Sequence, residues 1–203
     1  MTDLSPLRAL PGLTNLTCKG TGVRPGRLSN LGPLNGLPLT ALDCSSSAVS
    51  DLSPLKGAPL SRLNCSLTPV ADLAPLGDMK LTFLACGETR VADLSPLRGM
   101  PLAFLSCARS PVASLSPLVG MPLDYLDCAG TKVSDLSPLR GMNLTTLYCD
   151  GARVADLSAL KGMPLKRLHC DFDPKRDGEI LRSIPTLETV NERPAAEALR
   201  DAR

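Results

Sequence analysis

Large rings are nearly missing from this chain: tryptophan is absent, histidine occurs once, and two tyrosines and three phenylalanines are the only other aromatics. Aliphatic side chains must therefore fill the core. Lysine and arginine form no dense run, and the formal charge is only +2. That excludes the clustered basic footprint that nucleic acid requires. No apolar run approaches the roughly 18 residues of a membrane span. The opening "MTDLSPLRALPG" also lacks a basic segment followed by an apolar core, so neither export nor spanning is indicated and a cytoplasmic location is expected. Cys-x-x-Cys pairs are absent and His169 stands alone, which removes the usual spacing of a structural zinc site. No metal and no cofactor are expected.

Cysteine, by contrast, is ordered. It falls at Cys18, Cys44, Cys65, Cys86, Cys107, Cys128, Cys149 and Cys170, and every gap after the first is 21 residues. A fixed period of this length marks a repeat architecture. Aligned on cysteine, the units read "LTALDCSSSAVSDLSPLKGAP", "LTFLACGETRVADLSPLRGMP", "LDYLDCAGTKVSDLSPLRGMN" and so on. The leucine two before cysteine and the cysteine itself alternate with variable residues, as in a strand with one inward face. Further along, Ser-Pro suits an N-cap and first helical position, and Gly suits a left-handed exit. Such a short unit cannot bury its own apolar side, so units must stack, strands along one face and turns along the other.

This pattern resembles the leucine-rich repeat family, particularly its short bacterial, internalin-like units, from Asp3 to about Cys170. The resemblance implies an α/β solenoid: a horseshoe with a parallel concave sheet, short 3-10 or helical turns on the convex side and a helical carboxy-terminal cap. Cysteine stands where a third strand leucine is common, and a hydroxyl (Thr21, Ser47, Thr68, Thr89, Ser110, Thr131) where the family places asparagine. The cysteines are read as small buried hydrophobes with reduced thiols. The hydroxyls are expected to satisfy turn backbone groups.

Residues 1–170 are assigned to the solenoid, about seven to eight units with an insertion near 19–27, and residues 171–203 to the cap. The insertion carries Lys19, Arg24 and Arg27 and is read as a surface excursion. "DFD" at Asp171–Asp173 lacks the glycine of a kinase metal motif and is read as the last strand entering the cap. Beyond it, Ile180, Leu181 and Ile184 follow Pro174 at helical spacing, then come an extended "TLETV" and an Ala-rich helix. The amino end starts in mid-unit with no cap, which leaves a surface for an upstream domain or self-association.

Three residues before successive cysteines stand Phe83, Phe104 and Tyr125, and one before the next stands Tyr148. These positions point away from the core, so a ring-poor chain places most of its rings outside. Arg109, Asp127 and His169 lie beside the stripe as a polar rim. His169 has Asp150 and Asp171 in neighbouring columns, but no nucleophile accompanies it and catalysis is not expected. The expected function is noncatalytic binding of a protein or peptide on the concave face through Phe83, Phe104, Tyr125 and Tyr148. The alternative, implied by likeness to repeats appended to bacterial serine/threonine protein kinases, is a regulatory or targeting segment of such a kinase.

Overall fold

The alternation around each cysteine builds a strand. A computed structural model describes residues 3–20 and 26–200, with three-residue strands at Asn15–Thr17 (β1), Ala41–Asp43 (β2), Arg62–Asn64 (β3), Phe83–Ala85 (β4), Phe104–Ser106 (β5), Tyr125–Asp127 (β6), Thr146–Tyr148 (β7) and Arg167–His169 (β8). Pairing is parallel, and from β2 to β8 each residue faces the one 21 positions on: Leu42 meets Leu63, then Leu84, Leu105, Leu126, Leu147 and Leu168. All seven of these leucines are buried, and the seven cysteines two residues after them form a second buried column. The architecture is a leucine-rich repeat solenoid.

Every one of the eight thiols is free and buried. Desolvation pushes their pKa values up, to about 11 at Cys18 and about 12 at Cys65, Cys107 and Cys170. The hydroxyl column behaves as expected where it is described. Ser47, Thr68, Thr89, Ser110 and Thr131 each donate to the carbonyl of the cysteine three residues earlier at 2.5–2.7 Å. Those carbonyls are buried and need a partner. Thr21 and Arg24 lie outside the described residues. After the insertion, Gly26 bridges to Ser47 and Leu28 is buried, so the chain rejoins the core there.

The turns opposite the sheet are 3-10, as at Ser53–Leu55, Ser95–Leu97 and Ser137–Leu139. Here the expected Ser cap is corrected. Serine is the first helical residue, proline the second, and the capping position holds a leucine with no side-chain bond. That leucine must point into the core, so the acceptor comes from one residue earlier. Asp93 Oδ1 accepts from the Ser95 N–H at 2.8 Å, and Oδ2 from its hydroxyl at 2.6 Å. Asp51, Asp135 and Asp156 repeat the device. These bonds hold the four carboxyls below their ordinary range, the backbone N–H contributing most except at Asp93, where the hydroxyl does. The glycine exits are as expected, with φ of 71–79° at Gly57, Gly99, Gly120, Gly141 and Gly162.

A second left-handed column lies two residues after cysteine. Ser46, Leu67, Glu88 and Arg109 have φ of 53–58° there, followed by Gly130 and Gly151 at 64° and 63°. Side chains other than glycine are strained in this region by roughly 1–2 kcal/mol. A Cβ at Gly130 would also lie 3.1 Å from Arg109 Cγ. Gly130→Ala is therefore expected to lower unfolding stability by about 1 kcal/mol. Ser46→Gly should move it the other way; urea titration checks both.

The carboxy-terminal segment begins differently from its reading as a strand at Asp171–Asp173. Asp173 is instead the N-cap of helix α1 (Pro174–Arg182), accepting from the Lys175 and Arg176 N–H groups. Proline lacks an N–H and its fixed φ suits the first helical turn, so the chain turns into a helix at once. Leu181 and Ile184 close over the core. Asp177, fully buried, accepts two bonds from Arg176 at 2.7 Å and one from the Asp173 N–H. The sheet continues only after this helix: Thr189–Val190 (β9) lies parallel beside β8, and Arg193–Pro194 (β10) pairs antiparallel with β9. A four-residue helix, Ala195–Ala198 (α2), follows. At the opposite edge of the sheet, Leu13 and Leu16 are only half-buried and Leu10 is exposed.

Candidate functional site

Phe83, Phe104 and Tyr125 open β4, β5 and β6 and share one register line. Adjacent parallel strands about 4.8 Å apart bring such side chains within stacking distance. The rings of Phe83 and Phe104 lie 4.3 Å apart at 11°, and those of Phe104 and Tyr125 4.3 Å apart at 9°. The next position in that line is Thr146, which is buried, so the ladder steps sideways to the column preceding cysteine. Tyr148 packs on Tyr125 at 5.6 Å, tilted by 39°, and His169 stacks on Tyr148 at 4.2 Å. At the other end the Arg62 guanidinium sits 4.1 Å from the Phe83 ring centre.

The result is a five-ring diagonal across the outward sheet face, with a cation over its first ring. All five rings are half-buried by one another and keep an open edge. The rings thus cover one another and remain accessible together. His169, placed by its sequence position among the rim residues, is a rung of the ladder. Asp171 Oδ2 accepts from the Gly151 N–H at 2.9 Å, and among the described residues no hydrogen bond or ion pair joins Asp171 to His169. The column assignments made the ladder partly visible. They included the step to Tyr148 in the neighbouring column, but not the stacking of His169 on Tyr148.

Beside the ladder, Asp127 Oδ1 accepts from the Ala129 N–H and Oδ2 from the Ser106 hydroxyl, at 3.1 and 3.0 Å. Desolvation nevertheless raises its pKa above the ordinary value, and the charge of Asp150 adds to the rise. Burial likewise pushes the Tyr125 phenol to about 12, helped by Asp127 and Tyr148. Arg109 pairs with Glu88 at 3.3 Å on the exposed rim, a contact of small energetic weight. Glu88, Arg109, Asp127, Asp150, Tyr148 and His169 help bound an open groove of about 420 Å³. Among the described residues no group of histidine, cysteine and carboxylate side chains could hold a metal. No described helix is long and apolar enough to cross a membrane.

Neither a protein-family model nor a curated protein sequence matches this chain. Similarity lies among solved structures. An internalin from Listeria monocytogenes superposes with a TM-score of 0.82 and 25% identity, over 93% of this chain and 56% of its own. Internalin C2 from the same species gives 0.72 and 26%, over 79% of this chain and 71% of its own. A leucine-rich repeat protein of Leptospira interrogans gives 0.69 at 16% identity, over 94% and 57%. The chain thus spans little more than half of the first of these proteins. It folds as an internalin-like leucine-rich repeat solenoid.

Proposed function

We propose that this chain is a noncatalytic module that binds a protein or extended peptide on the concave sheet face, with Phe83, Phe104, Tyr125 and Tyr148 as anchors and Arg109, Asp127 and His169 at their side. One observation carries this reading: the described interior is mostly aliphatic and thiol, with only Phe172 packed against it at the cap, while the other four phenylalanine and tyrosine rings are gathered on the open sheet face. Half-buried aromatic anchors beside a polar rim are the usual makeup of an energetic centre in an interface. The structural neighbours support a repeat-protein interaction module in general. Eight unpaired thiols suit a reducing compartment, so a cytoplasmic location belongs to the same proposal.

The test is a Phe104→Ser, Tyr125→Ser double variant, whose circular dichroism should remain that of the wild type. Capture of partners from a cell extract is expected to fall by about tenfold or more. Unchanged capture by the folded variant would remove the ladder from the interface. A second reading, a regulatory or targeting segment of a larger serine/threonine protein kinase, is favoured by the half-buried leucines at the β1 edge, which another element could cover. Expressing the chain with its native upstream reading frame should then raise the unfolding temperature and protect the amide groups of β1 from exchange.

A further inference from the structure

We infer that the groove between the ring ladder and the rim receives a cationic side chain, arginine before lysine, from an extended peptide lying across the sheet. This rests on the concave-face reading above and adds the partner's chemistry to it.

Charge is distributed unevenly in this protein. The chain as a whole is formally +2, yet the groove is lined by four carboxylates, Glu88, Asp127, Asp150 and Glu192, against one guanidinium, Arg109. Glu88 already has Arg109 as its partner. The other ion pair among the described residues is Arg176 with Asp177, inside the cap. Among the described residues Asp127, Asp150 and Glu192 thus line the groove without an ion pair, Arg109 acting on Asp127 only from beyond ion-pair distance. An arriving cation restores that balance, and Asp127, half-buried and partly desolvated, gains most from it.

The ladder adds geometry to charge. At its first ring, Phe83, the outer face is covered by the Arg62 guanidinium. At its last, His169, β9 has already ended at Val190, and the next residue is Asn191. The amide of Asn191 is turned to the backbone of Cys170, with bonds of 3.0 Å in both directions. No ring or guanidinium among the described residues stacks on that far side of His169. A planar guanidinium can lie on an aromatic face and still offer its edge N–H groups to carboxylates, which an ammonium group cannot match. Arg62 on Phe83 shows the same contact within this ladder.

The experiment uses the whole chain and four immobilised dodecapeptide libraries, randomised without cysteine except for one fixed central residue: Arg, Lys, Gln or Glu. Retention at low salt is expected in the order Arg, Lys, Gln, Glu, with about tenfold between Arg and Gln. In a triple variant, Asp127→Asn, Asp150→Asn, Glu192→Gln, which keeps side-chain shape, that ratio should fall close to one while the circular dichroism is unchanged. Equal retention of the Arg and Gln libraries, both lost in Phe104→Ser, Tyr125→Ser, would overturn the cation preference and leave the sheet-face reading standing. Retention of no library overturns both. A triple variant that still prefers Arg overturns the groove as its source.

Discussion

Raising the pH from about 8 to about 10 is expected to unfold this protein cooperatively, in the presence of a reductant that prevents oxidation. The cause is the thiol column. Burial lifts each cysteine pKa in the folded chain, to about 11 at Cys18 and about 12 at Cys65, Cys107 and Cys170, and upward at the other four. An unfolded thiol releases its proton near pH 8.5. Folded-state stability is therefore fully present below about pH 8.5 and is lost as the pH climbs towards the raised folded values. Each thiol costs about 2 kcal/mol by pH 10. Eight of them cost about 16 kcal/mol, which exceeds the ordinary stability of a domain. Urea midpoints at closely spaced pH values measure this directly. Cys107→Ala should remove one proton from the pH slope. A midpoint unchanged between about pH 8 and pH 9.5 would show that the thiols are not the buried column described.

The acid side has the opposite sign. The turn carboxylates Asp51, Asp93, Asp135 and Asp156 have depressed folded pKa values, so their contribution is present above the ordinary carboxylate range and disappears as the pH falls through the depressed ones. They are exposed, and acid loss is expected to be gradual where alkaline loss is steep.

Leu105→Ala is expected to cost about 2–5 kcal/mol, in the range of buried leucine truncations. Leu105 is fully buried at the centre of β5, with Leu84 on one side and Leu126 on the other. A stacked solenoid has no distant contacts to compensate, because each coil touches only its neighbours. A gap in the middle therefore weakens both interfaces at once. The matching change at the sheet edge, Leu16→Ala, removes a half-buried side chain with one neighbouring coil and should cost under about 1 kcal/mol. Urea unfolding followed by circular dichroism separates the two. Equal losses at the two positions would contradict nearest-neighbour stacking.

The large features were legible because they recur. The 21-residue cysteine period, the alternation around it and the hydroxyl column each repeat often enough to outweigh local ambiguity, and register, burial and carbonyl bonding followed from them. The turn cap was misassigned although its signal was present. Aspartate stands two before serine in Asp51, Asp93, Asp135 and Asp156, yet Ser-Pro alone resembles a helix start. The left-handed column two after cysteine could not be seen, since Ser46, Leu67, Glu88 and Arg109 occupy it where glycine would have announced it. The strand reading of Asp171–Asp173 failed for a local reason: Pro174 starts a helix that postpones β9 to Thr189. In the candidate site the rings were found by column. Their face-to-face contact and the inclusion of His169 depend on side-chain packing, because alternation fixes only which side of the sheet a residue occupies.

The constant register from β2 to β8 also governs how the molecule can change its size. Any excision of 21 consecutive residues between Ala41 and His169 joins two backbones that already face each other across the ladder. Leucine then meets leucine and thiol meets thiol across the new junction, whichever frame of the cut is chosen. A loss of 20 or 22 residues spliced inside a strand turns the side chains of that strand to the wrong face, whereas a change of length within a turn is absorbed there, as the five extra residues between Cys18 and Cys44 are. Unequal recombination in such a gene therefore yields an unbroken ladder most readily at the 21-residue period, and the solenoid can shorten or lengthen by whole coils without redesign of its interior.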